Sequence, residues 1–277
     1  MVNKLKRKIF KLIILFFSII FCICVYYKWK ENTFETTFYE LDSKKIHENI
    51  RIVNLSDLHL KEFGKNNENL VEKIKELSPD IITISGDMVN KDNADFSVDY
   101  KLCRQLIKIA PTYYSLGNHE YEQLLFKKHN IIPNLKKIGV QVLNDEYKTI
   151  TVKHTEIDIC GCTQHNHNYD KYAKEYMNQY MNSKKFKLLL VHYPELFLNQ
   201  LKNSKIDLAL CGHEHGGQII IPFIGPLYSR DQGFFPKMAA GEYKQKYGTV
   251  IVNRGLGTHD KIPRINNIPE IVVIDIS

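Results

Sequence analysis

Beyond the cluster Lys4, Lys6, Arg7 and Lys8 the sequence has no basic tract, although its formal net charge is +7. Scattered lysines and arginines build no continuous positive stripe, so no nucleic-acid partner is expected. No repeat, low-complexity segment or internal linker divides the folded part of the chain, which excludes solenoid and disordered architectures. Cysteine is sparse. Of six residues, Cys22 and Cys24 fall in an apolar run, leaving Cys103, Cys160, Cys162 and Cys211. Their even number permits disulfides without requiring them in a domain of this size, and it fixes no redox compartment. Cys160, Cys162, His165 and His167 match the spacing of no common structural zinc site. Tyr169, Tyr172, Tyr176 and Tyr180 read as packing on a helix face. The helical H-E-x-x-H pattern is also absent, because His213-Glu214-His215 lacks its spacing, so an amide or peptide hydrolase has no support.

What is present is ordinary globular material: 44% apolar and 25% charged residues in 277. That length supports one substantial domain with a buried core plus an appendage. The appendage is the run from Ile9 to Tyr27, interrupted only by Lys11. A bilayer span needs roughly 17–25 residues. No A-x-A-like site follows the run, and no small residues precede Cys22 or Cys24 as in a lipoprotein signal, so an uncleaved transmembrane anchor over residues 1–30 is expected. Lys4, Lys6, Arg7, Lys8 and Lys11 before the span outweigh Lys28 and Lys30 after it. The positive-inside rule then makes this a single-pass cell-membrane protein with an extracytoplasmic domain. Residues 31–48 read as a linker and 49–277 as the folded domain.

Within that domain Ile50 to Leu55 is strand-like. Leu70, Ile74 and Leu77 recur at helical spacing before Ser78-Pro79, and Ile81 to Ile84 is again a strand. A helix around Tyr100 to Ile109 and a strand at Thr112 to Tyr114 continue the α/β pattern. Short strands follow at Val140 to Leu143, Tyr147 to Val152 and Glu156 to Cys160, then a helix from Asp170 to Met181. A strand at Leu188 to Val191, a helix after Pro194, and strands at Leu208 to Cys211, Thr249 to Val252 and Ile271 to Ile276 complete the pattern. Two packed sheets with helices outside are expected.

Metal-binding residue types recur just after these strands, where α/β folds place their sites. Asp57 and His59 follow the first, Asp87 the second, Asn118 and His119 the third, His192 the run KLLLV, and His213 and His215 the run DLALC. Singly, each reads as a cap, a turn or a core-edge histidine. Together they make a ligand set of imidazole, carboxylate and amide oxygen, which suits Mn²⁺, Fe²⁺ or Zn²⁺. Seven ligands exceed the needs of one ion. Two ions sharing a carboxylate would use them all, roughly 3.5–4 Å apart, in the arrangement that clamps in-line displacement at phosphorus. Asp87 is the expected bridge.

The series Asp57-Leu58-His59, Gly86-Asp87, Gly117-Asn118-His119-Glu120, His192 and Gly212-His213-Glu214-His215 resembles the calcineurin-like metallophosphoesterases. Gly216-Gly217-Gln218-Ile219, Pro222-Phe223-Ile224-Gly225-Pro226, Arg254-Gly255-Leu256-Gly257 and Pro269-Glu270-Ile271 resemble the membrane-associated YkuE- and YaeI-like subgroup. The resemblance implies a four-layer α/β/β/α sandwich. It also implies one divalent ion on Asp57, His59, Asp87 and His215 and a second on Asp87, Asn118, His192 and His213. Mn²⁺ is the expected metal, with Fe²⁺, Zn²⁺ or Mg²⁺ as alternatives.

Two cations acidify a bridging water and neutralise phosphoryl oxygens, so no side-chain nucleophile is required. His119 is the candidate to protonate the leaving oxygen or to stabilise the transition-state charge. Glu120 either orients His119 or serves as a helix-start carboxylate. Lys91 stands where phosphoprotein phosphatases of this superfamily carry arginine, and it lacks the bidentate fork, which argues against a protein phosphatase. Arg254 and Arg264 are candidate substrate contacts, while Arg230 reads as solvated surface. The expected activity is hydrolysis of a phosphodiester or pyrophosphate in a membrane- or envelope-associated substrate. Resemblance points to a UDP-2,3-diacylglucosamine-like or phospholipid-like molecule. The alternative is a non-catalytic metal-binding scaffold of the same fold.

Overall fold

Apolar runs too short for helices become strands covered on both faces, and here they form the centres of two sheets. The computed structural model describes residues 2–30, 32–163, 169, 173–258 and 263–277, without the side chains of residues 2–5, 24, 27 and 28. His165, His167, Asp170 and Tyr172 lie outside the described residues. Strands β1 (Glu35–Leu41), β2 (Ile50–Leu55), β3 (Ile81–Ile84), β4 (Thr112–Ser115) and β5 (Gln141–Leu143) join β16 (Glu270–Ile276) in a six-stranded sheet ordered β1-β16-β2-β3-β4-β5. The second sheet has six strands ordered β14-β15-β9-β8-β7-β6. They are β6 (Glu146–Val152), β7 (Thr155–Cys162), β8 (Phe186–Val191), β9 (Leu208–Cys211), β14 (Gly241–Lys244) and β15 (Thr249–Val252).

Helical crossovers make the central strands parallel. Helices α2 (Glu68–Glu76) and α3 (Ser97–Leu106) link β2 to β3 and β3 to β4, while α4 (Asn118–Leu125) and α5 (Ile132–Ile138) lead to β5. In the second sheet α6 (Lys174–Met181) links β7 to β8, and β7, β8, β9 and β15 are parallel. Side-chain alternation then sorts each strand between two cores. In β2, Ile50 and Ile52 face the other sheet, and Val53 and Leu55 pack with Leu70, Ile74 and Leu102 of the helices. In β8, Phe186, Leu188 and Leu190 enter the inter-sheet core, and Leu189 and Val191 pack with Met177 and Tyr180 of α6. The α/β/β/α layering follows from those three cores.

The segment expected as a linker, residues 31–48, instead contains β1, paired in parallel with β16. Its half-exposed edge position gives ETTFYEL no apolar run, which is why the strand was not visible. The helix expected after Pro194 is a 3₁₀ turn, Pro194–Leu198. Two hairpins were also unforeseen: β10 (Ile220–Ile221) with β11 (Gly225–Pro226), and β12 (Tyr228–Ser229) with β13 (Gly233–Phe234). Ladders of two residues are too short to show alternation.

The N-terminal helix α1 runs Val2–Lys30. Taking the described residues alone, no helix is long and apolar enough to cross a membrane. The spanning anchor therefore remains a reading of the sequence.

Candidate metal centre

The loops that follow β2, β3, β4, β8 and β9 meet at one end of the two sheets, and they carry the predicted ligands there. To turn side chains two residues apart toward a common point, the backbone leaves the extended region. Asp57 (φ 52°), His59 (φ 51°), Asp87 (φ 54°), His213 (φ 75°) and His215 (φ 47°) all have left-handed backbone. Each such non-glycine residue costs about 1–2 kcal/mol, and strain of this kind collects at functional sites. Glycine allows the loops to close: a Cβ on Gly117 would lie 2.3 Å from Asp87 Oδ1, and one on Gly212 2.0 Å from Ser56 Oγ.

Among the described residues four overlapping groups of ligand atoms result, each within 4.8 Å: Asp57, His59 and His215; His59, Asp87 and His119; Asp87, His192 and His213; and, through His213, Glu195, His213 and Asp231. His59 Nε2 is 3.2 Å from His215 Nε2, and His215 Nε2 is 3.5 Å from Asp57 Oδ1. His192 Nε2 is 3.1 Å from Asp87 Oδ2. Asp87 belongs to two groups, as a bridging carboxylate must.

Neighbouring bonds set which ring nitrogens face the centre. His192 Nδ1–H donates to the Ser85 carbonyl at 2.7 Å, and His59 Nδ1–H to Asn90 Oδ1 at 2.9 Å. Each therefore turns Nε2 inward. His213 Nε2–H donates to Asp231 Oδ2 at 2.9 Å, leaving Nδ1 as its lone-pair nitrogen. His215 Nδ1 lies 3.3 Å from Arg264 Nη2. Ring partners of this kind fix orientation at metal sites.

Electrostatics agrees with a cation site. Burial holds the His59 imidazole down to about 3, and burial together with His59 and Arg264 holds His215 well below its ordinary value, so both rings are neutral. Burial would raise the Asp87 carboxyl, but His192 and His119 beside it outweigh that and keep it ionised. The Asn118 side-chain carbonyl oxygen is buried without a hydrogen-bond partner. Such atoms cost free energy unless something fills the gap. Lone-pair nitrogens, carboxylate oxygens and an orphan amide oxygen fit one or two divalent ions.

His119 adjoins this set. The Lys91 backbone N–H donates to its Nδ1 at 2.9 Å, so the neutral ring carries its proton on Nε2, 3.8 Å from Asp87 Oδ2. The Lys91 side chain turns away to Glu122 at 3.5 Å. Glu120 does not orient His119. Its carboxylate accepts from the N–H groups of Gly117, Asp87, Met88 and Val89 and from the Tyr114 hydroxyl, all at 2.8–3.2 Å. It caps α4 and also clamps the Asp87 loop.

The candidate substrate arginines are placed elsewhere. Arg254 forms ion pairs with Glu35 and Glu270. Arg264 is buried behind His215 and donates to the Arg254 and Gly257 carbonyls. A cavity of about 210 Å³ opens over the ligands, and Gln218, Tyr228, Ser229 and Arg230 line it beside Asp87, Asn118 and His119. Arg230, read from sequence as surface, is thus the arginine at the site. Asp231 and Asn90 were also missed, because a residue acting through another side chain has no pattern of its own.

A family model described as calcineurin-like phosphoesterase matches residues 50–217, more than half the chain and inclusive of every ligand named above. An uncharacterized metallophosphoesterase of Aquifex aeolicus is 28% identical over 255 residues, 86% of this chain and 90% of that protein. Phosphodiesterase YaeI of Escherichia coli is 27% identical over 232 residues, 82% of each. An uncharacterized metallophosphoesterase of Campylobacter jejuni is 30% identical across 99% of this chain and 71% of its own. The chain belongs to the calcineurin-like phosphoesterase family and is a metal-dependent hydrolase of phosphate esters.

Proposed function

We propose that the chain cleaves a phosphodiester or pyrophosphate bond in a lipid-linked or envelope-associated substrate, acting from a membrane to which α1 anchors it. The observation that carries the hydrolytic part is the convergence of Asp57, His59, Asp87, His192, His213 and His215 in overlapping groups whose ligand atoms lie within 4.8 Å of one another, with Asp87 shared by two groups. When bound there, two divalent ions supply an acidified water and neutralise phosphoryl charge. The protein's own groups do the rest. Asp87 and Asn118 set the position of the reacting centre, Nε2–H of His119 donates a hydrogen bond to the leaving oxygen as negative charge builds on it while solvent supplies the proton, and Arg230 and Ser229 hold the phosphoryl oxygens or an adjacent acidic group.

The cavity, about 210 Å³, is smaller than the roughly 300–1,000 Å³ usual for enclosed ligand sites. It accommodates a phosphoryl group and its nearest ester arms, so a larger substrate lies partly outside. Support for the membrane is the apolar run in α1, whose large side chains between Ile9 and Val25 are exposed. UDP-2,3-diacylglucosamine-like and phospholipid-like esters both fit this reading.

The test is a substrate screen with the purified full chain and Mn²⁺, comparing bis-p-nitrophenyl phosphate, p-nitrophenyl phosphate, a UDP-linked glycolipid and phospholipids. Turnover of a diester or pyrophosphate, lost in Asp87→Asn, is expected. Metal binding without turnover of any ester would favour the scaffold alternative.

A further inference from the structure

We propose that the metal-site end of the domain faces the bilayer, with the exposed apolar side chains of the two short hairpins seated among the lipid headgroups. The inference rests on the membrane anchor proposed above and adds to it an orientation and a docking surface.

The orientation follows from strand directions. Glu35 pairs with Glu270 in the parallel β1–β16 ladder, and Val272 pairs with Asn54 in the antiparallel β16–β2 ladder. The start of β1 therefore lies at the end of the sheet where β2 delivers Asp57. Side chains mark the same proximity: Glu35 pairs with Arg254, whose carbonyl accepts from Arg264, which reaches His215. Between the end of α1 at Lys30 and Glu35 there is room for only residues 31–34. An extended chain covers at most ~3.6 Å per residue, so these links span less than about 20 Å. Turn bonds from Asn32 N to Trp29 O and from Thr33 N to Lys30 O shorten the connection further. A lipid-embedded α1 thus holds the metal end, not the opposite one, close to the bilayer surface.

The docking surface is the segment β10–β13. The two hairpins are joined side by side through Leu227, whose N–H donates to Ile219 O and whose carbonyl accepts from Phe235 N, each at 2.8 Å. Four large apolar side chains stand out from this small unit: Phe223 fully exposed, Ile224 at 67%, Phe234 at 72% and Phe235 at 60%. Phe223 (φ 66°) and Phe235 (φ 54°) have left-handed backbone, which aromatic residues rarely adopt. Contiguous apolar patches on a water-facing surface mark interaction sites.

The surrounding charge favours lipid as the occupant. Arg230 and Lys237 are exposed on the same segment, and its carboxylate Asp231 is occupied by His213. Exposed aromatic side chains with basic neighbours suit an anionic headgroup layer. The hairpins are continuous with the cavity through Tyr228, Ser229 and Arg230, so a lipid ester would pass from the bilayer to the metals without crossing water.

Trp29 is the only tryptophan, so a Trp29→Phe background reports on a single inserted probe. Full chains carrying Phe223→Trp, and separately Phe234→Trp, are reconstituted in anionic vesicles whose acyl chains are brominated. Tyr247→Trp, in the β14–β15 turn at the far end of the sheet, is the control. Emission from both hairpin probes is expected to shift to the blue and to be quenched several-fold more than the control. A chain that stays with the vesicles while hairpin and control probes are quenched equally overturns the orientation and leaves the anchor intact. A chain that does not partition into vesicles overturns both. Hairpin emission that changes with protein concentration and ignores the bromine assigns the patch to a second copy and overturns the lipid occupant.

Discussion

His192 Nε2 lies 3.1 Å from Asp87 Oδ2, while Nδ1–H of the same ring is committed to the Ser85 carbonyl at 2.7 Å. A nitrogen lone pair and a carboxylate oxygen cannot face each other at that distance with nothing between them. Burial disfavours a charged imidazole, yet Asp87 and Asp57 outweigh it and raise His192 to about 10. In the metal-free chain a proton fills the contact near neutral pH. A metal ion must displace it.

Metal affinity should therefore rise with pH up to about 10, because the folded chain holds a proton on His192 that the ion replaces. Mn²⁺ titrations by calorimetry in buffers of different ionisation enthalpy should show proton release near pH 7 that is lost in His192→Gln. Affinity independent of pH between 6 and 9 would remove this reading of the contact.

Substituting His119 separates catalysis from metal binding, since its Nδ1 accepts from Lys91 and only its Nε2–H is offered to the site. His119→Gln should keep full metal content and lose about 10²–10⁴-fold in kcat. The loss should be smaller on esters whose leaving group is a good one, such as p-nitrophenolate. An equal loss on good and poor leaving groups would argue against a hydrogen bond from His119 to the leaving oxygen.

Asp231 holds His213 through a 2.9 Å bond from Nε2. Partners of metal-ligating histidines are typically worth 10–100-fold in affinity. Asp231→Ala is expected to weaken Mn²⁺ binding by about that factor without unfolding the domain, measured by calorimetry and circular dichroism.

A fourth expectation concerns Asp99, buried against α3 and α4 residues, where burial and nearby Glu120 raise its carboxyl to about 8. Between the ordinary value of 3.8 and about 8 the folded chain keeps a proton that the unfolded chain releases. Stability tied to this group is complete below 3.8 and is lost as pH rises through about 8, with a slope approaching ~1.4 kcal/mol per pH unit. Asp99→Asn carries no such proton, so its stability relative to the parent should grow across that window in metal-free unfolding experiments. Parallel pH profiles would show that Asp99 ionises normally in the fold.

The convergence of the candidate ligands was legible because metal chemistry admits few residue types and because their strands, buried on both faces, read as plain apolar runs. Ile81–Ile84 followed by Gly86-Asp87 is the clearest case. Less visible were residues defined by a partner. Asp231 looks like any polar residue in a turn until His213 is beside it, and Arg230 became a cavity residue only when a two-residue ladder aimed it there. Arg264 misled for the converse reason: its guanidinium is occupied by backbone carbonyls, a role that leaves no trace in sequence. Strand β1 was hidden by its edge position, where half its side chains remain in water.

Metal stoichiometry measured together with turnover decides whether these side chains form a two-ion centre that cleaves phosphate esters. The purified full chain should bind two Mn²⁺ and hydrolyse bis-p-nitrophenyl phosphate, with Asp87→Asn losing both properties. A chain that binds no divalent ion and turns over no phosphate ester has no such centre.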